Sequence, residues 1–133
     1  EYKNITLTRN CRFVSQISTY PRELMQVFLN LLKNATDVLM ERKVADPEVR
    51  ILGYEKDGFQ IIEVLDNGGG IPEEIMDKIY DPYFSTKGSS KGTGLGLYMS
   101  KTIVEEHCGG RIRAVNREGG ACFIIELPIN SKE

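Results

Sequence analysis

Three stretches of this sequence carry residue types at spacings that could bind a ligand. In Lys91-Gly-Thr-Gly-Leu-Gly-Leu97, the glycines Gly92, Gly94 and Gly96 alternate with other residues and run straight into an amphipathic segment. The apolar members of that segment, Leu97, Ile103 and Val104, recur at helical intervals. A glycine-rich turn opening a helix presents bare N–H groups and a positive dipole end, which suits phosphate; a tight connection is the plainer reading. Asn30, Asn34 and Asp37 stand at i, i+4 and i+7 of a strongly helical stretch and so share one stripe. Asparagine is a poor helix former, and two in register either face solvent or offer carboxamide oxygens to a hard cation. Asp66-Asn-Gly-Gly-Gly-Ile-Pro72 sets a carboxylate at a strand end beside a backbone that a ligand can approach closely, although Asp, Asn and Gly are also ordinary turn residues.

Two phosphate motifs are excluded. No Gly-x4-Gly-Lys-Ser/Thr order occurs, and no strand leads into the second glycine cluster as a dinucleotide fingerprint requires. Its approach, Ser85-Thr-Lys-Gly-Ser-Ser-Lys91, is polar and reads as a loop suited to a lid. The chain has 133 residues, 41% hydrophobic and 27% charged, as expected of one globular domain over 1–133. A net charge of −2 gives no support for nucleic-acid or membrane-surface binding, and no apolar run is long enough to cross a bilayer. Cys11, Cys108 and Cys122 lack metal-ligand spacing and read as reduced thiols of a cytoplasmic protein. A chain beginning at Glu1 rather than Met reads as a segment of something longer.

These stretches need elements to position them. Alternation over Ile5–Arg9 predicts a half-buried strand, and Phe13–Ile17 a second one. A helix is expected from about Pro21 to Glu41, with Pro21 and Glu23 suiting its first turn. Leu24, Val27, Phe28, Leu31, Ala35, Val38 and Leu39 form its apolar face. Strands over Val49–Tyr54 and Gln60–Leu65 flank the hairpin signal Asp57-Gly58, and Glu73–Ile79 reads as a short helix. The helix after the second glycine cluster stops at Gly109-Gly110. Arg111–Val115 and Cys122–Leu127 then close the domain as a strand pair around Glu118-Gly-Gly120.

Taken in order, four stretches resemble the ATP-binding catalytic domain of sensor histidine kinases, in the gyrase, Hsp90, histidine kinase and MutL superfamily. Asn30-Leu-Leu-Lys-Asn-Ala35 resembles the N box, Asp66-Asn-Gly-Gly-Gly-Ile-Pro72 the first glycine box, Asp81-Pro-Tyr-Phe-Ser-Thr-Lys87 the F box, and Gly92-Thr-Gly-Leu-Gly-Leu97 the second glycine box. The resemblance spans about Glu23 to Pro128. It implies an α/β two-layer sandwich of the Bergerat type, a mixed, mostly antiparallel sheet with three helices on one face.

Within that frame Asp66 would accept a hydrogen bond from the adenine amino group, beside Gly68, Gly70 and Ile71. Asn34 would coordinate Mg²⁺ and work with Asn30 and Lys33 in the chemistry. Leu95, Gly96 and Leu97, with Gly92, Thr93 and Gly94, would hold the phosphates of ATP. Thr86, Lys87 and Lys91 would contact nucleotide from a short lid of the nitrogen-sensing-kinase kind, anchored by Phe84. Two positions depart from the family pattern. Asp37 stands where many relatives have a basic residue, with Lys33 as the substitute charge, and Ala121 stands where a Thr often assists adenine.

The resemblance implies a protein-histidine kinase that passes the γ-phosphoryl group to a histidine on separate dimerisation helices, with a response regulator downstream. An amide at Asn30 stands where hydrolytic relatives carry a water-activating Glu, which favours transfer to imidazole over hydrolysis. The only histidine, His107, lies at the far end of the helix that starts at the phosphate site, about 18 Å away, so the acceptor belongs elsewhere. The alternative is a nucleotide-binding regulatory module that moves no phosphate. Neither reading involves nucleic acid or direct membrane contact.

Overall fold

The computed structural model describes residues 4–13, 15–17, 19–84 and 95–129. Its strands are β1 (Thr6–Cys11), β2 (Glu48–Lys56), β3 (Phe59–Asp66), β4 (Arg111–Arg117) and β5 (Gly120–Pro128). They form one five-stranded sheet in the order β1-β2-β3-β5-β4. Only the β1–β2 pair is parallel. Parallel neighbours need a crossover, and α1 (Pro21–Glu41) supplies it. The β2–β3 and β4–β5 connections are tight turns, while β3 reaches β4 through the remaining helical segments. Asp57 and Gly58 take φ of 55° and 85°, and Glu118 and Gly119 take 52° and 80°, the left-handed pairs that two-residue hairpins require.

The helical layer lies on one face, as expected. Leu24, Val27, Leu31, Ala35 and Leu39 of α1 are buried in the main core with Val49, Val64, Phe123, Ile125 and Leu127 of the sheet. A 3₁₀ helix (Glu73–Lys78) stands in place of the expected short helix, and α2 (Gly96–Lys101) continues into a π-helical turn (Thr102–His107). That wider turn ends as the two glycines predict: Gly109 has φ of 72°, and the Gly110 N–H donates to Val104 O at 2.9 Å. His107 Nδ1 lies 2.7 Å from Glu23 Oε1, tying the end of this helix to the first turn of α1.

Two expectations at the N-terminal end are corrected. Residues 13 and 15–17 form no strand; side-chain contacts hold this stretch to the sheet's end instead. The Ser15 N–H and hydroxyl donate to the Glu55 carboxylate at 2.6 and 3.0 Å, and Gln60 Nε2 donates to Ser15 O at 2.6 Å. β1 exists, but every residue in it is exposed, not half-buried. It is an edge strand beyond the reach of the helical layer, so alternation along it selects no buried side.

The opposite sheet face has no covering layer among the described residues, yet Ile61, Leu65, Cys122 and Ile124 on it are buried. Long charged side chains span that face. Arg113 pairs with Glu126 at 3.3 Å and Arg117 with the buried Glu63 at 2.8 Å, their stems keeping water off apolar neighbours. The Tyr54 hydroxyl donates to Glu63 at 2.6 Å, which, with burial, pushes its pKa up to about 12. Burial pushes the Cys122 thiol up to about 11, and all three cysteines are free.

Glu105 ties the π-helical turn to β4. Its carboxylate accepts Lys101 Nζ at 2.7 Å and the Ile112 N–H at 3.2 Å. Burial works to raise its pKa, but these bonds and the charges of Lys101 and Arg111 outweigh it and hold the carboxyl below its ordinary value. A lowered carboxylate pKa stabilises the fold above the unfolded-state value, and the contribution fades as pH falls. Glu105→Gln should therefore cost about 1 kcal/mol at pH 7, with the difference from wild type closing below about pH 4. Urea unfolding at both pH values checks this, and a gap independent of pH would remove the charge from the account.

Candidate functional site

Asp66 ends β3, the middle strand of the sheet, and is half-buried. Its Oδ1 accepts the N–H of Gly68 at 2.8 Å and that of Ala121 at 3.4 Å. One carboxylate oxygen is thereby committed to backbone on two sides, and this orients the other. Ala121 contributes through its N–H rather than its side chain.

The glycine loop after Asp66 packs against α1. A Cβ on Gly68 would lie 2.6 Å from Val38 Cγ1, so glycine is needed there to seat the loop on the helix. A Cβ on Gly70 would lie 2.8 Å from Asn116 Oδ1, and its φ of 89° is itself a glycine conformation. Gly69, with φ of 99°, donates its N–H to Gly119 O at 2.8 Å, stitching the loop to the β4–β5 turn. Asn67 turns outward: its side chain accepts the Glu48 N–H at 2.9 Å and donates to Asp46 O at 2.8 Å.

The polar stripe of α1 faces the start of α2. Asn30 Nδ2 donates to Gly96 O at 3.3 Å and to the buried Ser100 hydroxyl at 3.4 Å. Asn34 lies one turn further along the same stripe and is half-buried. Lys33 and Asp37 pair with each other at 2.9 Å. Leu95 caps α2, Gly96 opens it, and Leu97 packs on the main core. Unlike Gly68 and Gly70, Gly96 has no close neighbour among the described residues to exclude a Cβ, the nearest such atom being 3.7 Å away on Asn30. Packing by the described residues therefore does not explain this glycine, whereas close approach of a ligand would.

Ile71 and Phe84 are partly buried against the main core, Phe84 being the last described residue before 85–94. Thr86, Lys87, Lys91, Gly92, Thr93 and Gly94 lie outside the described residues. Near Phe84, the Tyr80 ring has Lys101 Nζ 5.5 Å from its centroid, and burial raises the pKa of its hydroxyl.

α1 thus spans both halves of the site. Its Asn30 meets the first turn of α2, while Val38, Leu39 and Arg42 meet the glycine loop, about 12 to 18 Å along the helix axis. Asn34 lies between. Two participants escaped sequence reasoning. Arg42, at the C-cap of α1, and Asn116, at the end of β4, both hold the glycine loop. Neither has a local signal, because an Asn near a strand end reads as a turn former and an Arg after a helix as solvated.

The family described as histidine kinase-, DNA gyrase B-, and HSP90-like ATPase matches residues 19–131. The two-component sensor PprA of Pseudomonas aeruginosa is 40% identical over 110 residues, covering 80% of this chain but 12% of PprA. The nucleotide-free catalytic domain of histidine kinase ThkA matches with a TM-score of 0.80 at 32% identity, covering 94% of this chain and 79% of that one. ThkA in complex with the response regulator protein TrrA matches at 0.76 and 28% identity, covering 97% of this chain and 36% of ThkA. The five-stranded mixed sheet with its helical layer on one face agrees with those catalytic-domain structures. This chain belongs to the histidine kinase-, DNA gyrase B- and HSP90-like ATPase family, as an ATP-binding domain of the sensor-kinase kind.

Proposed function

We propose that this domain binds ATP with Mg²⁺ and donates the γ-phosphoryl group to a histidine on separate dimerisation helices of its parent protein, a response regulator receiving the phosphoryl group next. The observation that carries the proposal is α1 itself. One helix sets a carboxylate-and-glycine corner at its C-terminal half and the opening of α2 at its middle, with amides on the face between.

Each residue's part follows from its chemistry. Asp66, with Oδ1 occupied by backbone donors, would present Oδ2 to the adenine amino group, a donor that guanine lacks at that position. The N–H groups at the start of α2 would face the phosphates. Among the described residues no cluster of three or more His, Cys, Asp or Glu could hold a metal. A single amide oxygen suits Mg²⁺, which keeps its waters and takes most ligands from phosphate. Asn34 would hold the ion, whose part is to neutralise charge on the phosphates. Imidazole attacks phosphorus through a ring nitrogen as the bond to the ADP oxygen breaks, and it needs no base as strong as water does. Asn30 fits this, since its amide is a hydrogen-bond donor to α2 and cannot take up a proton.

Asp66→Ala should weaken ATP binding by roughly 10–100-fold in calorimetry, the worth of a hydrogen bond to a charged group. Unchanged affinity would remove Asp66 from the base site. Asn34→Ala should abolish the Mg²⁺ dependence of binding or transfer, and a variant that still responds to Mg²⁺ would refute the metal role. Labelled ATP mixed with this chain and the parent's histidine-bearing helices should leave label on histidine; tight ATP binding without label would favour a regulatory module.

A further inference from the structure

The backbone from Gly68 to Ile71 is gripped from both sides by side chains that the proposed chemistry does not use. From the end of α1, Arg42 Nη1 donates to the carbonyls of Gly68 at 2.5 Å and Gly70 at 3.1 Å. From β4, Asn116 Oδ1 accepts the Ile71 N–H at 2.7 Å, while its Nδ2 donates to Ile71 O at 2.8 Å. A neighbouring strand residue would make that same two-bond pairing; here a side-chain amide makes it with a stretch that belongs to no strand.

The loop needs such restraint. Gly69 and Gly70 hold φ of 99° and 89°. Consecutive glycines lose more conformational freedom on ordering than any other pair, so an unclamped loop would sample many geometries. The cradle is also shaped for its occupant, since a Cβ on Gly70 would collide with Asn116 Oδ1. Loop order reaches Asp66 directly, because Gly68 supplies one of the two N–H groups that fix its carboxylate.

Resting on the nucleotide-site reading above, we propose that Asn116 is a positioning residue for base recognition, with Arg42 as its counterpart. Asn116 touches no part of the base. It holds the glycine loop in the geometry that keeps the Asp66 carboxylate aimed, so discrimination between adenine and guanine depends on it. The residue type is specific. Both amide atoms are used, one as acceptor and one as donor, and a carboxylate of the same shape would set an oxygen against the Ile71 carbonyl.

The test compares wild type with Asn116→Ala, Asn116→Asp and Arg42→Ala for ATP and GTP affinity, thermal stability without nucleotide, and hydrogen exchange of the Ile71 amide. Losing both loop bonds should weaken ATP about tenfold and narrow the ATP-over-GTP preference by a similar factor. Ile71 should exchange faster in both Asn116 variants, and Asn116→Asp should be no better than Asn116→Ala. Asn116 is exposed, so the fold should persist with a melting temperature within about 4 °C of wild type. Arg42→Ala reports on the same loop from the other side should an Asn116 variant fail to fold. Unchanged affinity and preference would overturn the proposal, as would equal losses for ATP and GTP, which would mark a general structural defect. If the wild-type chain binds neither nucleotide, the base site itself falls; if it binds ATP and the variants match it, only the clamp falls.

Discussion

The rest of the site depends on how one carboxylate oxygen is spent. Asp66 sits at the end of the central strand, and its Oδ1 takes N–H groups from the loop it precedes and from the neighbouring β5. A lone carboxylate at a strand end would swing with its χ angles. Two backbone donors from different elements remove that freedom and join the loop to the sheet through one atom. The direction of the second oxygen is then set by the loop and the sheet together.

The same logic sorts the glycines. In the first cluster they are needed by the protein itself: Gly68 to admit Val38, Gly70 to admit Asn116, and Gly69 for its φ of 99°. At Gly96 no atom of the described residues crowds the missing side chain. One residue type therefore does two jobs. The first cluster folds a loop into a narrow corner, and the second leaves bare backbone at a helix start. A substitution in the first would act on the fold and only then on binding, while Ala at Gly96 would reach a ligand first.

Sequence legibility followed the range of the interactions involved. The bounds of α1 were readable because Pro21, Glu23 and the apolar period are local, and both hairpins were readable because their turn residues demand positive φ. The strand expected over Phe13–Ile17 is absent at residues 13 and 15–17 because β-rich composition does not say whether a pairing partner is available, and a carboxylate of β2 holds the Ser15 backbone instead. The exposure of β1 was equally hidden, since alternation reveals two faces but not whether anything covers either. Helical spacing and strand-end position raise Asn34 and Asp66 as candidates beside the plainer readings of a solvated stripe and a turn. Asn116 could not be picked out, because its role comes from the β4–β5 register, in which it opposes Ala121 beside the Asp66 loop.

The amide at position 30 shows how packing and chemistry can select the same residue. Its Nδ2 is shared between a backbone carbonyl of α2 and a fully buried hydroxyl. A Glu there would turn an acceptor toward the Gly96 carbonyl, losing that bond and adding repulsion at the first turn of α2. A water-activating carboxylate is thus disfavoured by the contact that positions the helix, before any question of reactivity arises. In hydrolysis this would be a defect, since water must surrender a proton as it attacks. For transfer to an imidazole it is an advantage, because an ordered helix start without an adjacent base leaves water the poorer competitor. The acceptor's own nucleophilicity, rather than a base in this domain, would then decide where the phosphoryl group goes.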